Sequence, residues 1–437
     1  MEHNSQTDFE KREERKRRRK RSQVSAYITL LVMIAVIAAG IVLGIKLITD
    51  MSGEKPKDDK QSMVDEMLGT EETIQVPEPS ETVPELTDEE KLDEIVNAGI
   101  EVMPLEDKVA GLFLVTPESI TGVTAAVQAG DGTRNALARY AVGGMVYFAK
   151  NIQSKEQLVQ LIDNTQLYTK YPLFIAVDEE GGSVSRVADS KIAAKVDSAQ
   201  TIGQTADASN AHAAGSAIGA YLSELGFNLD FAPVADLANV ENSVMADRAY
   251  GSDAASAAPF VASMVQGLKE QNVTACLKHF PGIGSTTNDT HNGLAVSERT
   301  AEEFRAEEFA VFRAGIDAGA DMVMVGHMAA PSLVGDNTPC CMSEAVVTDI
   351  LRNELNFRGV IITDAMNMKA ISDYYEADEA AIRALKAGCD MILMPDDFEK
   401  AYNGVLQAVQ DGTISEERIN DSLRRIYRIK YADRMGQ

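Results

Sequence analysis

Apolar residues in this chain gather in short unbroken runs, and between the runs they recur every three or four positions. The runs are Val109–Thr116, Val142–Phe148, Leu173–Val177, Asn228–Pro233, Val273–Leu277, Asp321–Gly326, Val360–Thr363 and Asp390–Met394. Each is closer to continuous than to alternating, which is the pattern of parallel strands covered on both faces. The stretches between them, such as Lys155–Tyr168, Asn210–Leu225, Ala301–Ala318 and Ala377–Ala387, carry helical spacing. Eight strands, each followed by a helix, predict an α/β protein with one closed (β/α)₈ barrel of the TIM type. An open doubly wound sheet is the alternative, but no G-x-G-x-x-G follows the first run.

A different pattern precedes the barrel. Nine basic and five acidic side chains lie within residues 1–25, and no charge occurs from Ser22 to Ile45. Counted from Ala26, the apolar stretch reaches the roughly 20 residues that a hydrocarbon core requires. A cleaved signal peptide has a shorter apolar core, of roughly 7–15 residues, and a small-residue cleavage site. None is evident near Leu43-Gly44-Ile45-Lys46. The pattern therefore favours a retained transmembrane anchor at 26–48, with residues 1–25 cytoplasmic and the remainder outside the cell membrane. Residues 50–100 hold sixteen acidic and four basic side chains, and Pro56, Pro77, Pro79 and Pro84 interrupt any helix. Residues 49–90 read as an acidic, extended, disordered linker, and 91–437 as the barrel domain. Thr87-Asp88-Glu89-Glu90 marks a helix start at their junction.

Composition narrows the function. With 41 basic against 67 acidic residues, the 437-residue chain has a formal net charge of -26. That argues against nucleic acid as a partner, since phosphate binding needs a basic face. Four Cys exclude a disulfide scaffold, and no structural disulfide is expected. Cys276 and Cys389, in apolar runs, read as buried thiols. Trp is absent, so any stacking on a ligand falls to Tyr, Phe or Met. Met366 and Met368 are candidates, although such positions are commonly core.

Barrel chemistry gathers at the carboxyl ends of strands. There the sequence places Asp178-Glu179-Glu180-Gly181-Gly182, Lys278-His279-Phe280-Pro281-Gly282, His327 and Asp364-Ala365-Met366. Asp364 follows the apolar Val360-Ile361-Ile362-Thr363, where a carboxylate must be paired or hydrogen-bonded. It reads either as a functional carboxylate or as a cap of the next helix. Asp289, two residues before His291, can orient that ring and raise its basicity. An incidental Asx-turn gives the same spacing. His279 beside Lys278 has no second His or Cys at ligand spacing, which disfavours a metal. His212 reads as helix surface.

Together these residues resemble glycoside hydrolase family 3, and within it the bacterial β-N-acetylglucosaminidases (β-hexosaminidases). The family's K-H-F-P-G-H-G, D-[ST]-H and strand-end Asp motifs appear as Lys278–Gly284, Asp289-Thr290-His291 and Ile362-Thr363-Asp364-Ala365-Met366. Ala176–Gly182 with Arg186, and Phe231–Val234 with Asp247-Arg248, also match. The ordered matches span roughly 105–430.

The resemblance implies a retaining exo-β-N-acetylglucosaminidase. In it Asp364 is the nucleophile, His291 the general acid and base, and Asp289 the group orienting His291. It implies sugar contacts from Asp178, Arg186, Arg248, Lys278 and His279. No metal or organic cofactor is required. The implied partner is an N-acetylglucosamine-containing glycan or muropeptide from peptidoglycan. Two departures stand out: Ile283 replaces the family's second loop His, and no second α/β domain of the kind found in the family's β-glucosidases follows the eighth run. Another β-glycosidase, a glycosyl phosphorylase and a non-catalytic wall-sugar-binding module are the competing readings.

Overall fold

The structure, a computed structural model, describes residues 86–288 and 290–432. The basic segment, the predicted anchor and most of the predicted linker lie outside these residues, as does Asp289. Among the described residues no helix is long and apolar enough to cross a membrane.

Eight parallel strands form the core: β1 (Phe113–Val115), β2 (Gly144–Val146), β3 (Phe174–Val177), β4 (Leu229–Asp230), β5 (Thr274–Phe280), β6 (Met322–Val325), β7 (Val360–Thr363) and β8 (Ile392–Leu393). They pair in the order β8-β1-β2-β3-β4-β5-β6-β7. A parallel bridge between Ile362 and Met391 joins the two ends, so the sheet curls into a barrel. Nearly every strand residue is buried, as expected for a sheet with side chains inside and helices outside.

The expected runs locate all eight strands, and Val360–Thr363 matches β7 at both ends. The other strands differ from their runs at one or both ends, and two differences change the reading of residues. Val109 and Ala110 close the helix Leu105–Ala110 rather than opening β1. β5 runs on through Lys278, His279 and Phe280, which the sequence reads as a loop. Polar residues remain in this strand because their side chains find charged partners at its end. The helices Lys155–Tyr168 and Ala377–Ala387 lie where predicted. The predicted helix Ala301–Ala318 is two, Ala301–Ala306 and Glu308–Asp317, divided at Glu307. The first described helix, Asp88–Glu101, starts three residues before the expected domain boundary. Thr87 and Glu90 form a reciprocal capping box there.

All four cysteines are buried thiols. Met366 and Met368 are packed into the interior, so they are core residues rather than stacking surfaces. His212 is on a helix surface, with Nε2 3.1 Å from Glu270.

The amino ends of β7 and β8 are tied together by one carboxylate. Asp390, with no exposed surface, accepts hydrogen bonds from Arg352 Nη2 at 2.7 Å, Arg425 Nη1 at 2.9 Å, the Ser422 hydroxyl at 2.8 Å and the Ile361 amide at 2.9 Å. Ser422 and Arg425 belong to the last helix, Glu416–Ala432, which is thereby fastened across the barrel floor. A buried charge with four donors is satisfied, whereas its removal strands the donors. Asp390→Ala is therefore expected to cost about 3–5 kcal/mol. Chemical denaturation should show a large loss of stability that is not reproduced by substitutions confined to the opposite rim.

Candidate active site

The carboxyl ends of the strands bring the expected polar residues to one rim. Asp178 directly follows β3, Lys278 and His279 are among the last three residues of β5, and Asp364 directly follows β7. Arg186 and Arg248 come from the loops after β3 and β4.

A charge cluster is their common centre. Lys278 is only 2% exposed, and its Nζ lies 2.6 Å from Asp178 Oδ1 and 2.6 Å from Glu180 Oε1. Glu180 also receives a two-pronged hydrogen bond from Arg248, Nε to Oε2 at 2.8 Å and Nη2 to Oε1 at 2.7 Å. The Arg fork matches the carboxylate geometry, which makes this a strong pairing. Burial alone would push the Glu180 carboxyl up. Lys278 and Arg248 outweigh it and hold the group down to about 2. Burial disfavours the Lys278 charge, but Asp178 and Glu180 more than compensate and raise its pKa. Lys278 is thus a fixed cation. Sequence motifs include Glu180, yet only the fold reveals it as the group that holds two of the expected sugar-contact residues.

Neighbouring carboxyls behave differently. Glu179 accepts the amides of Val187 and Ala188 and the Tyr221 hydroxyl, which fixes the turn carrying Arg186. Arg186 Nε is buried without a hydrogen-bond partner. An unpaired, buried guanidinium N–H is suited to a ligand hydroxyl or carbonyl.

His279 is oriented by Asp236, a residue the sequence reading missed. His279 Nδ1 lies 2.7 Å from Asp236 Oδ2, and the His279 amide donates to the same oxygen at 3.1 Å. The other oxygen accepts the Ile283 amide at 2.7 Å. Asp236 therefore shapes both the ring and the loop after β5, making Nδ1 the proton-bearing nitrogen. Its sequence signal was a lone carboxylate after Val234-Ala235. Ile283 is buried, so this departure from the family motif places an apolar contact beneath the loop.

Two glycines let that loop lie so close. Gly282 has φ 130°, and a Cβ there would meet Glu308 Cγ at 2.5 Å. A Cβ on Gly284 would lie 1.8 Å from the Leu237 carbonyl oxygen. The loop continues to Thr290, whose carbonyl accepts the Ala370 amide at 3.3 Å. That bond joins the stretch holding His291 to the segment following Asp364. His291 is exposed and acts electrostatically on His327.

Asp364 stands between these groups. Its amide donates to the Val325 carbonyl at 2.9 Å, and its Oδ1 accepts the Ala365 amide at 2.7 Å. Burial would raise its pKa. His327, His279, the Ala365 amide and Lys278 together hold it below the usual carboxylate range. The result is an ionised carboxylate in a confined setting, facing histidines and a fixed cation. Such a group can attack an electrophilic carbon or stabilise a developing cation. Among the described residues no cluster of three or more His, Cys, Asp or Glu could hold a metal ion.

Comparison with known proteins bears on the fold and the family. The family model described as the glycosyl hydrolase family 3 N terminal domain matches residues 104–429. A β-hexosaminidase A from Pseudoalteromonas piscicida is 31% identical over 325 residues, covering 67% of this chain and 54% of the relative. A β-hexosaminidase from Nitrosomonas eutropha is 34% identical over 271 residues, covering 61% of this chain and 77% of the relative. The solved structure of a family 3 β-N-acetylglucosaminidase from Paenibacillus sp. superposes with a TM-score of 0.71 at 32% identity. That match covers 77% of this chain and 64% of that one. The chain thus spans about half of the Pseudoalteromonas relative's length and about three quarters of the Nitrosomonas one. It belongs to glycosyl hydrolase family 3.

The charge cluster makes a pH prediction. The folded pKa of Glu180 lies below its ordinary 4.5, so its contribution is full above about pH 4.5 and is lost as pH falls towards about 2. Glu180→Gln is expected to destabilise the neutral protein by about 3 kcal/mol. The gap between the two melting curves should narrow steadily below pH 4.5. A gap that widens on acidification would contradict the pairing.

Proposed function

We propose that this member of glycosyl hydrolase family 3 is a retaining exo-β-N-acetylglucosaminidase that removes terminal N-acetylglucosamine through a covalent intermediate on Asp364. The observation that carries the reading is the state of Asp364. It is a carboxylate at the end of a barrel strand, kept ionised by surrounding groups and held by the next residue's amide.

In the first step an Asp364 carboxylate oxygen attacks the anomeric carbon. The bond from that carbon to the leaving oxygen breaks, and His291 gives its proton to the departing oxygen. In the second step His291 takes a proton from water as the water oxygen attacks the anomeric carbon and releases Asp364. Two inversions retain the β configuration. Most such enzymes use a second carboxylate as acid and base. A histidine serves both roles near neutral pH because its unperturbed pKa is about 6.5. Asp289, outside the described residues, takes the role of orienting His291 on the strength of the motif Asp289-Thr290-His291.

Asp178, Arg186, Arg248, Lys278 and His279 would bind the sugar by charge-assisted hydrogen bonds. The cluster around Glu180 has a specific use here, since it fixes Lys278 and Arg248 before substrate arrives. Preorganised donors lose little freedom on binding. The relatives' names support N-acetylglucosamine as the sugar. The proposed source is peptidoglycan fragments or muropeptides outside the cell membrane. That part rests on the basic segment, apolar span and acidic linker of residues 1–90. The rim residues described above thus perform the reaction, while the N-terminal span holds the domain at the membrane.

The test is release of a chromogenic phenol from its β-N-acetylglucosaminide, with the β-glucoside alongside and with phosphate present or absent. Selective cleavage of the first substrate, independent of phosphate, is expected. Asp364→Asn should lower kcat by roughly 10⁴-fold. His291→Ala should slow an aglycone that needs protonation far more than an activated dinitrophenol. Preferred cleavage of the glucoside would sink the N-acetyl assignment. Phosphate-dependent turnover would favour phosphorolysis, and full activity of Asp364→Asn would remove the nucleophile.

A further inference from the structure

His327 is one of five histidines in the chain and has no role in the reaction as written. It follows β6 by two residues and has no exposed surface, so it cannot meet solvent or substrate directly. Both ring nitrogens are engaged. Nε2 lies 2.8 Å from the Ala365 carbonyl oxygen, and Nδ1 lies 3.2 Å from Cys341 Sγ. A carbonyl only accepts, so Nε2 carries the hydrogen. Nδ1 is then an acceptor in the neutral ring, and the Cys341 thiol is its donor. Burial lowers the pKa of His327 and raises that of Cys341 well above normal, which keeps the ring neutral and the thiol protonated. The groups facing the ring are Asp364, His279, His291, Cys341 and the Ala365 carbonyl. Each hydrogen in this small network therefore has one place.

Ala365 is held from both ends as a result. Its carbonyl takes the His327 N–H, while its own amide donates to Asp364 Oδ1 at 2.7 Å. The residue that grips the proposed nucleophile is itself gripped by the histidine. We infer that His327, set by Cys341, is a positioning residue that fixes the Asp364 carboxylate for attack through the backbone of Ala365. This rests on Asp364 being the nucleophile. With Oδ1 engaged by the amide, the arrangement assigns attack to Oδ2. Without the bond to its carbonyl, Ala365 can turn about its own backbone dihedrals, which shifts the amide holding Oδ1 and turns the carboxylate away from the anomeric carbon. Misplacement by about 1 Å costs roughly 100-fold in such reactions. The sugar-contact residues lie on other strands and do not depend on this bond, so binding should survive its loss.

The test uses the full-length chain and aryl β-N-acetylglucosaminides. His327→Leu, which removes both ring hydrogen bonds, is expected to lower kcat by about 100-fold with KM within about twofold. His327→Gln, whose amide can still donate to the Ala365 carbonyl, should recover at least about tenfold of that loss. Cys341→Val puts an apolar side chain with one further γ atom in place of the thiol and leaves Nδ1 without its donor, so kcat should fall by about five- to tenfold at unchanged KM. If His327→Leu fails to fold, Cys341→Val decides, and a kcat within twofold of wild type would overturn the inference. A rise in KM at constant kcat would overturn it by making His327 a binding residue. Equal losses in His327→Leu and His327→Gln, tracking lowered melting temperatures, would reduce His327 to a structural role and also overturn it. Wild-type turnover that Asp364→Asn does not abolish would instead defeat the nucleophile reading, and this inference with it.

Discussion

The pairing of Lys278 with Asp178 and Glu180 is the constraint around which the rim is organised. Three strand ends would otherwise bring uncompensated charges into one poorly solvated space. One ammonium resolves this by touching two carboxylates at 2.6 Å each, and Arg248 completes the balance through Glu180. The loops after β3 and β4 and the end of β5 are consequently held in one arrangement. Three of the residues that balance charge at this point, Asp178, Lys278 and Arg248, are also the ones proposed to bind the sugar. Stability and preorganisation therefore come from a single set of contacts, which leaves little freedom to alter one without the other.

The opposite end of the barrel uses similar chemistry for a different purpose. Asp390 gathers Arg352, Arg425, Ser422 and the Ile361 amide with no surface left open. In that cluster the carboxylate is fully enclosed and both of its oxygens accept from neighbouring groups. The carboxyl rim instead retains unspent capacity: Arg186 Nε is buried without a partner, and Asp364 has one oxygen engaged by an amide. A buried carboxylate enclosed by its donors at the floor, and a rim with an unpartnered buried donor, is the division expected when closure belongs to one end and chemistry to the other.

The strands were legible because burial on both faces leaves a continuous apolar run, and β7 matched its run at each end. Asp364 was legible for the same reason, as a carboxylate ending such a run. Lys278 and His279 were legible as polar residues at a strand end, but their sequence reads as a loop, because polar residues normally end a strand and only distant partners allow them to continue it. Asp236 and His327 had weak signals: each is one polar residue after apolar ones, and neither spacing nor composition names its partner. The division of the helix at Glu307 left no sequence mark, since both halves keep helical periodicity.

By itself the sequence determined the kind of structure and the kind of chemistry. Its periodicities specify alternating strands and helices, and its ordered strand-end motifs place the chain in a family. These properties are local or additive along the chain, so they can be read without coordinates. Only the tertiary structure decided which charges meet. Lys278 reaches back a hundred positions to Asp178, and His327 reaches forward to Ala365. Such contacts depend on barrel closure bringing strand ends within hydrogen-bonding distance, and no one-dimensional pattern encodes a distance of 2.6 Å.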